Sequence, residues 1–424
     1  MGKNRAVLGC QWGDEGKGKI VDLLAADADI IARFQGGANA GHTIVVGDTK
    51  YVLHLIPSGI LQPGKRCYIG NGVVLDPFEF EEELRFLEGK GVNCAGRLFV
   101  SPATNLVLPY HKLIDVVEER TRGIGSIGTT MRGIGPAYVD KVARQGIRVA
   151  DLFAPERLHK RLDYQRVIKA RYLEGSHDER ADLDNTYELL IEFAKLIKPM
   201  VVDVSYHLTQ AFRQGKTILY EGAQGSMLDV DLGTYPFATS SNTTVGGVLT
   251  GLGIGPRMID EVVGVVKAYT TRVGAGPFPT ELVDSVGEQL RTLGDEYGAT
   301  TGRPRRCGWL DLVALRHAAR INGVNSIAVT KLDVLDELDR IQVCTHYQLD
   351  ESKLDQVPLD LAALAYVKPI YRTLPGWKAD TTGMTSFDQL PPNARSYLSF
   401  VAEDLGVEIC LVSTGARREQ TIMV

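Results

Sequence analysis

The sequence predicts an α/β fold in which a large, mostly parallel central sheet is flanked by helices, with helical and small strand excursions. Two observations lead to this prediction: short apolar runs rich in β-branched residues recur along the chain, and helical patterns separate them. Parallel strands need crossover connections, usually helices, which cover the faces of the sheet. The alternation of the two patterns therefore favours a mainly parallel sheet.

The apolar runs have the length and composition of strands that are buried on both faces. They lie at residues 6–9, 30–34, 73–75, 217–220 and 327–330. Apolar residues at three- to four-residue spacing predict helices over 78–90, 310–322 and 393–405. Gly323 follows the second of these helices, as glycine often follows the last residue of a helix.

We interpret residues 1–424 as a single composite α/β domain. Between 155 and 198 the sequence becomes charged and helix-favouring, with few strand signals. No long linker separates this stretch from the rest of the chain, so we interpret it as a helical excursion within the domain.

The composition is typical of a soluble globular protein, since 44% of the 424 residues are hydrophobic and 23% are charged. A net charge of −5 disfavours a protein that binds nucleic acid through a broad basic face. No apolar run approaches the roughly 18 to 20 residues of a membrane span, and the N-terminus lacks a signal peptide. The six cysteines show no metal-ligand spacing and no disulfide framework. We therefore expect a cytoplasmic protein with no nucleic-acid partner and no membrane partner.

A glycine-rich loop at 9–19 follows the first predicted strand and leads into the start of a helix at 20–24. Backbone N–H groups and a helix N-terminus in this arrangement bind phosphate, and a lysine adds positive charge at the terminal phosphates. The spacing GxxxxGK is present, but Ile20 occupies the position of the usual Mg²⁺-binding hydroxyl. Asp14, inside the loop, could replace it as metal ligand or act as a base. The alternative, an exposed glycine turn, is disfavoured by the strand-to-helix context, so we expect a P-loop NTPase-like fold.

A second glycine-rich loop at 35–43 contains His42. A lone histidine is usually structural, but parallel strands would bring this loop and the first one to the same carboxyl edge of the sheet. Imidazole can donate a proton near neutral pH. Asp14 as base and His42 as acid therefore make a plausible catalytic pair.

The segment 330–333 reads TKLD and follows a buried strand. The carboxylate of Asp333 can accept hydrogen bonds from N1–H and the amino group of guanine, although an ordinary helix N-cap is the alternative. The loop 298–306 contains three arginines, whose guanidinium groups suit carboxylates and phosphates. Glycine-rich segments at 127–144 and 221–225 supply further contacts, which implies a second phosphorylated ligand.

Taken together, these motifs closely resemble the adenylosuccinate synthetase family over nearly the whole chain. The sequence departs slightly from the family pattern at Met131, where glycine is common, and at Ala416, where proline is common. The matching motifs are QWGDEGKG at 11–18, GANAGHT at 37–43, GIGP at 133–136 with Tyr138, Lys141 and Arg144, EGAQG at 221–225, TSSN at 239–242, the arginine loop, TKLD at 330–333 and STG at 413–415.

The resemblance implies a two-step ligation that is the first committed step of AMP synthesis from inosine monophosphate (IMP). GTP phosphorylates the 6-oxygen of IMP, and the amino group of L-aspartate then displaces that phosphate to give adenylosuccinate. The implied catalytic residues are Asp14, Lys17, His42 and Gln224. Mg²⁺ would be held by the Asp14 carboxylate, the Gly41 carbonyl and GTP phosphate oxygens.

The resemblance also assigns binding residues to each substrate. GTP would be held by Gly13, Glu15, Gly16, Lys17, Gly18, Lys19, Gly41, His42, Thr43, Arg305, Lys331, Leu332, Asp333, Ser413, Thr414 and Gly415. IMP would be held by Asp14, Asn39, Ala40, Thr129, Thr130, Arg144, Gln224, Thr239 and Arg303. Aspartate would be held by Ala299, Thr300, Thr301, Gly302, Arg303 and Arg305. Arg144 would reach across from a partner subunit, which implies a homodimer.

Two other classes of protein share part of this pattern. A regulatory P-loop GTPase would also combine a glycine loop with TKxD, but Asp14 and the absent hydroxyl at Ile20 speak against it. A nucleotide kinase would use GTP and a phosphorylated acceptor and would be indifferent to aspartate.

Overall fold

The computed structural model describes residues 2–47, 49–173, 178–298, 302–358 and 360–424. The strands in this part of the chain are β1 (Arg5–Gly9), β2 (Ile30–Arg33), β3 (His42–Val46), β4 (Thr49–Leu53), β5 (Arg66–Ile69), β6 (Val74–Leu75), β7 (Leu98–Val100), β8 (Asn105–Leu106), β9 (Ile218–Glu221), β10 (Glu261–Lys267), β11 (Thr270–Arg272), β12 (Arg306–Gly308), β13 (Leu310–Asp311), β14 (Ser326–Thr330), β15 (Arg340–Leu349), β16 (Ser352–Leu354), β17 (Lys368–Pro375), β18 (Glu408–Ser413) and β19 (Thr421–Met423).

The α-helices lie mostly between the strands of the central sheet. They are α1 (Lys17–Ala25), α2 (Pro77–Gly89), α3 (Pro109–Arg122), α4 (Ile134–Val142), α5 (Pro155–Ile168), α6 (Ala170–Leu173), α7 (Leu183–Ile197), α8 (Val204–Arg213), α9 (Val245–Leu252), α10 (Ser285–Leu293), α11 (Leu312–Asn322) and α12 (Pro392–Leu405). Within the described residues, none of the helices has both the length and the apolar character that a membrane crossing requires.

Within the described residues, nine strands form the central sheet in the order β19-β18-β14-β10-β1-β9-β2-β5-β7. All of the pairings in this sheet are parallel except the one between β18 and β19, which is antiparallel and forms one edge. The predicted large, mostly parallel sheet flanked by helices is therefore confirmed.

The central strands are buried because each of their faces packs against a separate apolar core. Val7 and Leu8 are neighbours in β1, both 0% exposed, and they belong to different core clusters. Side chains that follow one another in a strand point to opposite faces of the sheet, so β1 contributes to both cores. This explains why its sequence is continuously apolar and does not alternate with polar residues.

The predicted strands at 6–9, 30–34, 217–220 and 327–330 correspond to β1, β2, β9 and β14 of the central sheet. The apolar run at 73–75 corresponds to β6, which pairs with β8 in a separate two-stranded sheet. The helix predicted over 310–322 begins later, at Leu312, because Leu310 and Asp311 form β13 and pair with β15. This helix ends before Gly323, which has a left-handed φ of 59°, as expected.

The remaining elements form smaller units around the central sheet. Strands β13, β15, β16 and β17 make a four-stranded sheet, and β3 and β4 form a hairpin. Helices α5, α6 and α7 lie within 155–198, and their apolar side chains join the same core cluster as Val7. The interpretation of the chain as one composite domain with this stretch as an excursion stays a prediction.

A contact between glycines sets the distance between α9 and the end of β2. A Cβ atom added to Gly251 in α9 would lie 2.1 Å from the carbonyl oxygen of Phe34, just after β2. A Cβ atom on Gly72 would lie 2.0 Å from the same oxygen, and the Gly72 N–H donates to the Gly251 carbonyl at 2.9 Å. The loop that follows β2 can therefore pack closely only if these positions lack side chains.

We predict that Gly251→Ala lowers the free energy of unfolding by about 1 to 3 kcal/mol, because the added methyl group must displace backbone atoms. Gly246→Ala in the same helix is the matched control. Its Cβ atom would come no nearer than 4.0 Å to the Thr244 hydroxyl, so we expect no loss and a gain of up to about 1 kcal/mol. Urea unfolding midpoints measure both changes. Equal midpoints for the two variants would contradict the packing argument.

Candidate active site

The candidate site lies at the carboxyl edge of the central sheet. Six neighbouring parallel strands, β18, β14, β10, β1, β9 and β2, end at this edge. Loops that follow the carboxyl ends of parallel strands are where open α/β folds bind ligands. The strands end at Ser413, Thr330, Lys267, Gly9, Glu221 and Arg33, respectively.

The glycine loop between β1 and α1 turns through left-handed backbone conformations. The φ angles are 85° at Gly13, 60° at Asp14 and 81° at Gly16, which is the N-cap of α1. Aspartate is one of the few residues besides glycine that adopt this conformation readily. A Cβ atom on Gly18 would lie 2.9 Å from the Cβ atom of His42, so the start of β3 packs directly against the first turn of α1.

The shape of this loop is held by the carboxylate of Glu15, which is fully buried. Its Oε1 atom accepts hydrogen bonds from the backbone N–H groups of Gln11 and Gly13, both at 3.0 Å. Its Oε2 atom contacts the ammonium group of Lys17. The Thr330 hydroxyl, at the end of β14, donates to the Glu15 carbonyl at 2.6 Å. The loop is therefore anchored from within and from a neighbouring strand.

Asp14 points away from this internal network and is part of a surface ion pair. Its Oδ2 atom accepts from Nε of Arg305 at 2.6 Å, and the Asp14 side chain is 35% exposed. Arg305 also donates through Nη1 to Oε2 of Glu296 at 2.8 Å. Burial lowers the pKa of Arg305, but the charges of Asp14 and Glu296 outweigh this effect and raise it overall.

His42 is buried and oriented by an acid at the end of β9. Its Nδ1 atom lies 2.6 Å from Oε1 of Glu221, which also accepts from the hydroxyl of Ser58 at 2.7 Å. Burial alone would raise the pKa of Glu221, but these hydrogen bonds lower it, so the carboxylate is ionised. An ionised carboxylate accepts hydrogen bonds, so Nδ1 of His42 carries the proton.

The other ring nitrogen of His42, Nε2, is buried and has no hydrogen-bond partner among the described residues. Burial lowers the pKa of His42, and the hydrogen bond that it donates to Glu221 opposes this shift without cancelling it. Without a ligand the imidazole is therefore neutral near pH 7, and the negative charge of a phosphate bound beside Nε2 would favour its protonated form.

The loop after β9 packs against the glycine loop. A Cβ atom on Gly225 would lie 2.3 Å from the Gln11 carbonyl oxygen and 2.5 Å from the Gly13 nitrogen. Gln224 has a left-handed φ of 56°, and its amide nitrogen donates to Oδ1 of Asn39 at 3.2 Å. The buried amide oxygen of Gln224 has no partner in the part of the chain that the structure describes. The structure thus brings Gln224 and Asn39 together beside the glycine loop.

The TKLD segment leaves β14 through a left-handed turn at Lys331, whose φ is 55°. Its ammonium group contacts the Gly294 carbonyl and lies 3.0 Å from Oε1 of Glu296. Asp333 lies inside the short 3-10 helix Leu332–Leu335, so it is not the N-cap. Burial raises the pKa of Asp333, and its Oδ1 atom is buried with no partner among the residues described.

The STG segment is joined to the first turn of α1. The ammonium group of Lys19 donates to the Ser413 hydroxyl at 2.7 Å and to the carbonyl groups of Gly415 and Gln420, both at 2.8 Å. Burial lowers the pKa of Lys19 to about 8, against the opposing charge of Asp333. The glycine loop, the TKLD segment and the STG segment therefore surround one region.

Several other candidate residues lie close to this region. Ala40 is buried and its carbonyl accepts from His54 at 2.6 Å. The other residues are Gly41 and Thr43, both half-buried, and Leu332 and Thr414, both buried.

The remaining candidate residues that the structure describes lie in loops and turns. The Thr129 hydroxyl donates to Asp115 at 3.0 Å, and Thr130 is exposed. Arg144 is exposed just beyond α4, with a left-handed φ of 64°. Thr239 is half-buried in a loop, and its N–H donates to the Leu228 carbonyl at 2.8 Å. Gly302 and Arg303 are exposed. Ala299, Thr300 and Thr301 lie outside the described residues.

Some residues of the site were not singled out from the sequence. They are Glu221, which orients His42, and the buried group of Glu296, Lys267 and Tyr269. A signal was present for two of them: Glu221 follows the run ILY in β9, and Lys267 follows the run VVGVV in β10. Charged residues at such positions are rarely buried unless they are paired.

A family model described as adenylosuccinate synthetase matches residues 6–422 of the chain. The chain is 51% identical to the adenylosuccinate synthetase of Chromohalobacter salexigens and 52% identical to that of Hahella chejuensis. These alignments cover 100% of this chain and 99% and 98% of the two relatives, respectively. Among solved structures, the fully ligated adenylosuccinate synthetase from Plasmodium falciparum is similar, with 40% sequence identity, a TM-score of 0.94 and 100% of both chains covered. The chain therefore belongs to the adenylosuccinate synthetase family.

Proposed function

We propose that this chain joins L-aspartate to IMP in a GTP-dependent reaction that yields adenylosuccinate, GDP and phosphate. Membership of the family over the whole chain supports this activity. The structural observation that carries the proposal is that two candidate catalytic groups lie at one glycine loop of the phosphate-binding kind. Asp14 presents a carboxylate from the loop itself, and His42 packs against its first helical turn with Nε2 unpartnered.

In the first step, Asp14 takes the N1 proton of IMP, and the 6-oxygen attacks the terminal phosphorus of GTP. The bond from that phosphorus to the leaving oxygen of GDP breaks, and 6-phosphoryl-IMP forms. Lys17 and His42 offset the negative charge that develops on the transferring group. In the second step, the aspartate amino nitrogen attacks C6, the C6–O bond breaks, and the nitrogen loses one proton to the departing phosphate. Gln224, held by Asn39, positions IMP.

The GTP site is formed by the glycine loop, the first turn of α1, the TKLD segment and the STG segment. Asp333 reads the guanine base, since its unpartnered Oδ1 atom is an acceptor in a buried setting. The backbone N–H groups at the start of α1 bind the phosphates. The residues of this site are the sixteen GTP-binding residues named from the sequence.

Mg²⁺ would be held by the Asp14 carboxylate and the Gly41 carbonyl together with GTP phosphate oxygens. These ligands fit the ion, because Mg²⁺ prefers oxygen and commonly takes one or two carboxylates plus substrate phosphates. Among the described residues, no group of three or more ligand-type side chains is placed to hold a metal ion. When bound, Mg²⁺ would neutralise charge on the phosphates.

IMP and aspartate are held by the remaining candidate residues, with Arg144 supplied by the partner in a homodimer. Two exposed valines support an interface beside Arg144: Val139 is 63% exposed and Val142 is 79% exposed, both on α4. An apolar surface next to an outward-facing arginine suits a second copy of this chain.

We also propose a cytoplasmic location, which the six free cysteines support.

Labelling of the IMP 6-oxygen tests the reaction directly. With ¹⁸O at C6, GTP and aspartate, we expect each released phosphate to carry one labelled oxygen, because the C6–O bond breaks in the second step. Mass spectrometry of the phosphate measures the label. Omission of IMP or of aspartate is the control and should stop phosphate release. Unlabelled phosphate would rule out the phosphorylated intermediate.

We predict that Asp333→Asn shifts the nucleotide preference from GTP toward xanthosine triphosphate, because the amide can donate to the carbonyl at C2 of xanthine. The ratio of kcat/KM for the two nucleotides should change by about 10²- to 10⁴-fold. Asp380→Asn, at an exposed aspartate that caps its own turn, is the matched control and should leave the ratio unchanged. An unchanged ratio in the Asp333 variant would remove this residue from base recognition.

We predict that Glu221→Gln moves the alkaline limb of the kcat profile to lower pH. Glu221 raises the pKa of His42, so loss of its charge lowers that pKa and the acidic form disappears at a lower pH. Ser58→Ala, which removes one donor to Glu221 but keeps its charge, should not move the limb to lower pH, because the carboxylate then interacts at least as strongly with His42. If the limb stays in place in Glu221→Gln, His42 is not the acid.

A further inference from the structure

The carboxylate of Glu296 is fully buried, and four side chains of the described chain donate to it. Its Oε1 atom accepts from Nζ of Lys267 at 2.8 Å, from the Tyr269 hydroxyl at 2.5 Å and from Nζ of Lys331 at 3.0 Å. Its Oε2 atom accepts from Nη1 of Arg305 at 2.8 Å. The single carboxylate of Glu296 therefore binds three cationic side chains and one phenol hydroxyl.

The four donors fall into two groups. Lys267 and Tyr269 are buried in the interior, with 1% and 0% of their surfaces exposed, and they fix the carboxylate. Lys331 and Arg305 lead outward into the candidate site. Lys331 begins the segment that contains Asp333, and Arg305 donates to Asp14 at 2.6 Å. The Glu296 carboxylate thus lies between the base-reading segment and the catalytic carboxylate.

The backbone strengthens this arrangement. The N–H of Arg305 donates to the carbonyl of Glu296 at 2.8 Å, and the N–H of Gly298 donates to the carbonyl of Arg303 at 2.8 Å. Residues 296–298 therefore pair with residues 303–305, and Glu296 and Arg305 lie opposite each other. A Cβ atom on Gly294 would lie 2.2 Å from the Tyr269 hydroxyl oxygen, so the glycine there allows the phenol to reach Glu296.

A buried carboxylate is stable only when donors satisfy it, and hydrogen-bonded networks in the interior respond as a unit. Because Lys331 and Arg305 share one carboxylate, displacement of Lys331 changes the electrostatic environment of Arg305. Displacement of Arg305 likewise changes the electrostatic environment of Lys331. Two sites that bias one shared element are coupled, and this coupling is reciprocal for binding.

We propose that Glu296 is a positioning residue that couples recognition of the guanine base at Lys331 and Asp333 to the placement of Arg305 and Asp14. This inference rests on the proposed function. Through Glu296, a bound guanine nucleotide prepares the site for IMP and aspartate.

The test uses steady-state kinetics of the full chain with IMP, L-aspartate and GTP. Lys331→Met, measured at saturating GTP, should raise KM for aspartate by about fivefold, although Lys331 is assigned to the nucleotide alone. Glu296→Gln should raise KM for both GTP and aspartate by about tenfold, since it removes a charge-assisted hydrogen bond from each side. The double variant should raise KM for aspartate no further than Glu296→Gln does.

The matched control is Glu281→Gln. Glu281 binds the neighbouring arginine, Arg306, through two hydrogen bonds of 2.7 and 2.5 Å that do not involve Glu296. Both KM values should stay within about twofold of the wild type, as is usual for partly exposed ion pairs. Thermal unfolding midpoints of all variants separate loss of folding from loss of coupling.

An unchanged KM for aspartate in Lys331→Met would overturn the inference, and so would strictly additive effects in the double variant. If Glu296→Gln does not fold, the Lys331→Met result decides alone. These outcomes are distinct from failure of the proposed function. A wild-type enzyme that does not join aspartate to IMP would contradict the proposed function and the inference with it.

Discussion

The buried carboxylate of Glu15 holds the glycine loop in the shape on which the rest of the candidate site depends. Two backbone N–H groups, those of Gln11 and Gly13, donate to one of its oxygens, and Lys17 contacts the other. These donors would be buried without partners if the carboxylate were absent, at a cost of about 1 to 3 kcal/mol for each group. The loop after β9 then packs on this folded loop through Gly225. One internal acid therefore supports two of the loops at the carboxyl edge.

The acids of the site are arranged in two layers. Glu15, Glu221 and Glu296 are fully buried and bind backbone groups, a histidine and cations, respectively. Asp14, in the outer layer, is partly exposed. Buried ion pairs contribute little net stability, because desolvation offsets their attraction. The buried acids here instead fix the positions of the groups that they bind.

Local patterns in the sequence were sufficient to predict the central strands and the loop between β1 and α1. They were also sufficient to place His42 and the TKLD segment at one edge, because parallel strands bring their carboxyl ends together. The pairing of Asp14 with Arg305 could not be predicted in this way. The two residues are 291 positions apart, and no periodicity reports a contact over that distance.

The sheet that β6 joins and the later start of α11 were not predicted, for a related reason. Both depend on pairing with strands that are distant in the chain, and a run of apolar residues has the same appearance whichever sheet it joins. The role of Glu221 is a similar case. Its position at the end of a buried strand is visible in the sequence, but its partner His42 lies 179 residues away.

The strand order has a consequence for how the protein is made. β1 and β2 are the first two strands of the sheet in the sequence, yet they do not pair with each other, because β9 lies between them. A ribosome must therefore synthesise the chain beyond Glu221 before this gap in the sheet can close. Until then, β1 and β2 present unpaired backbone edges, which are prone to aggregation. The centre of the sheet is thus completed by long-range pairing, a feature of topology that slows folding.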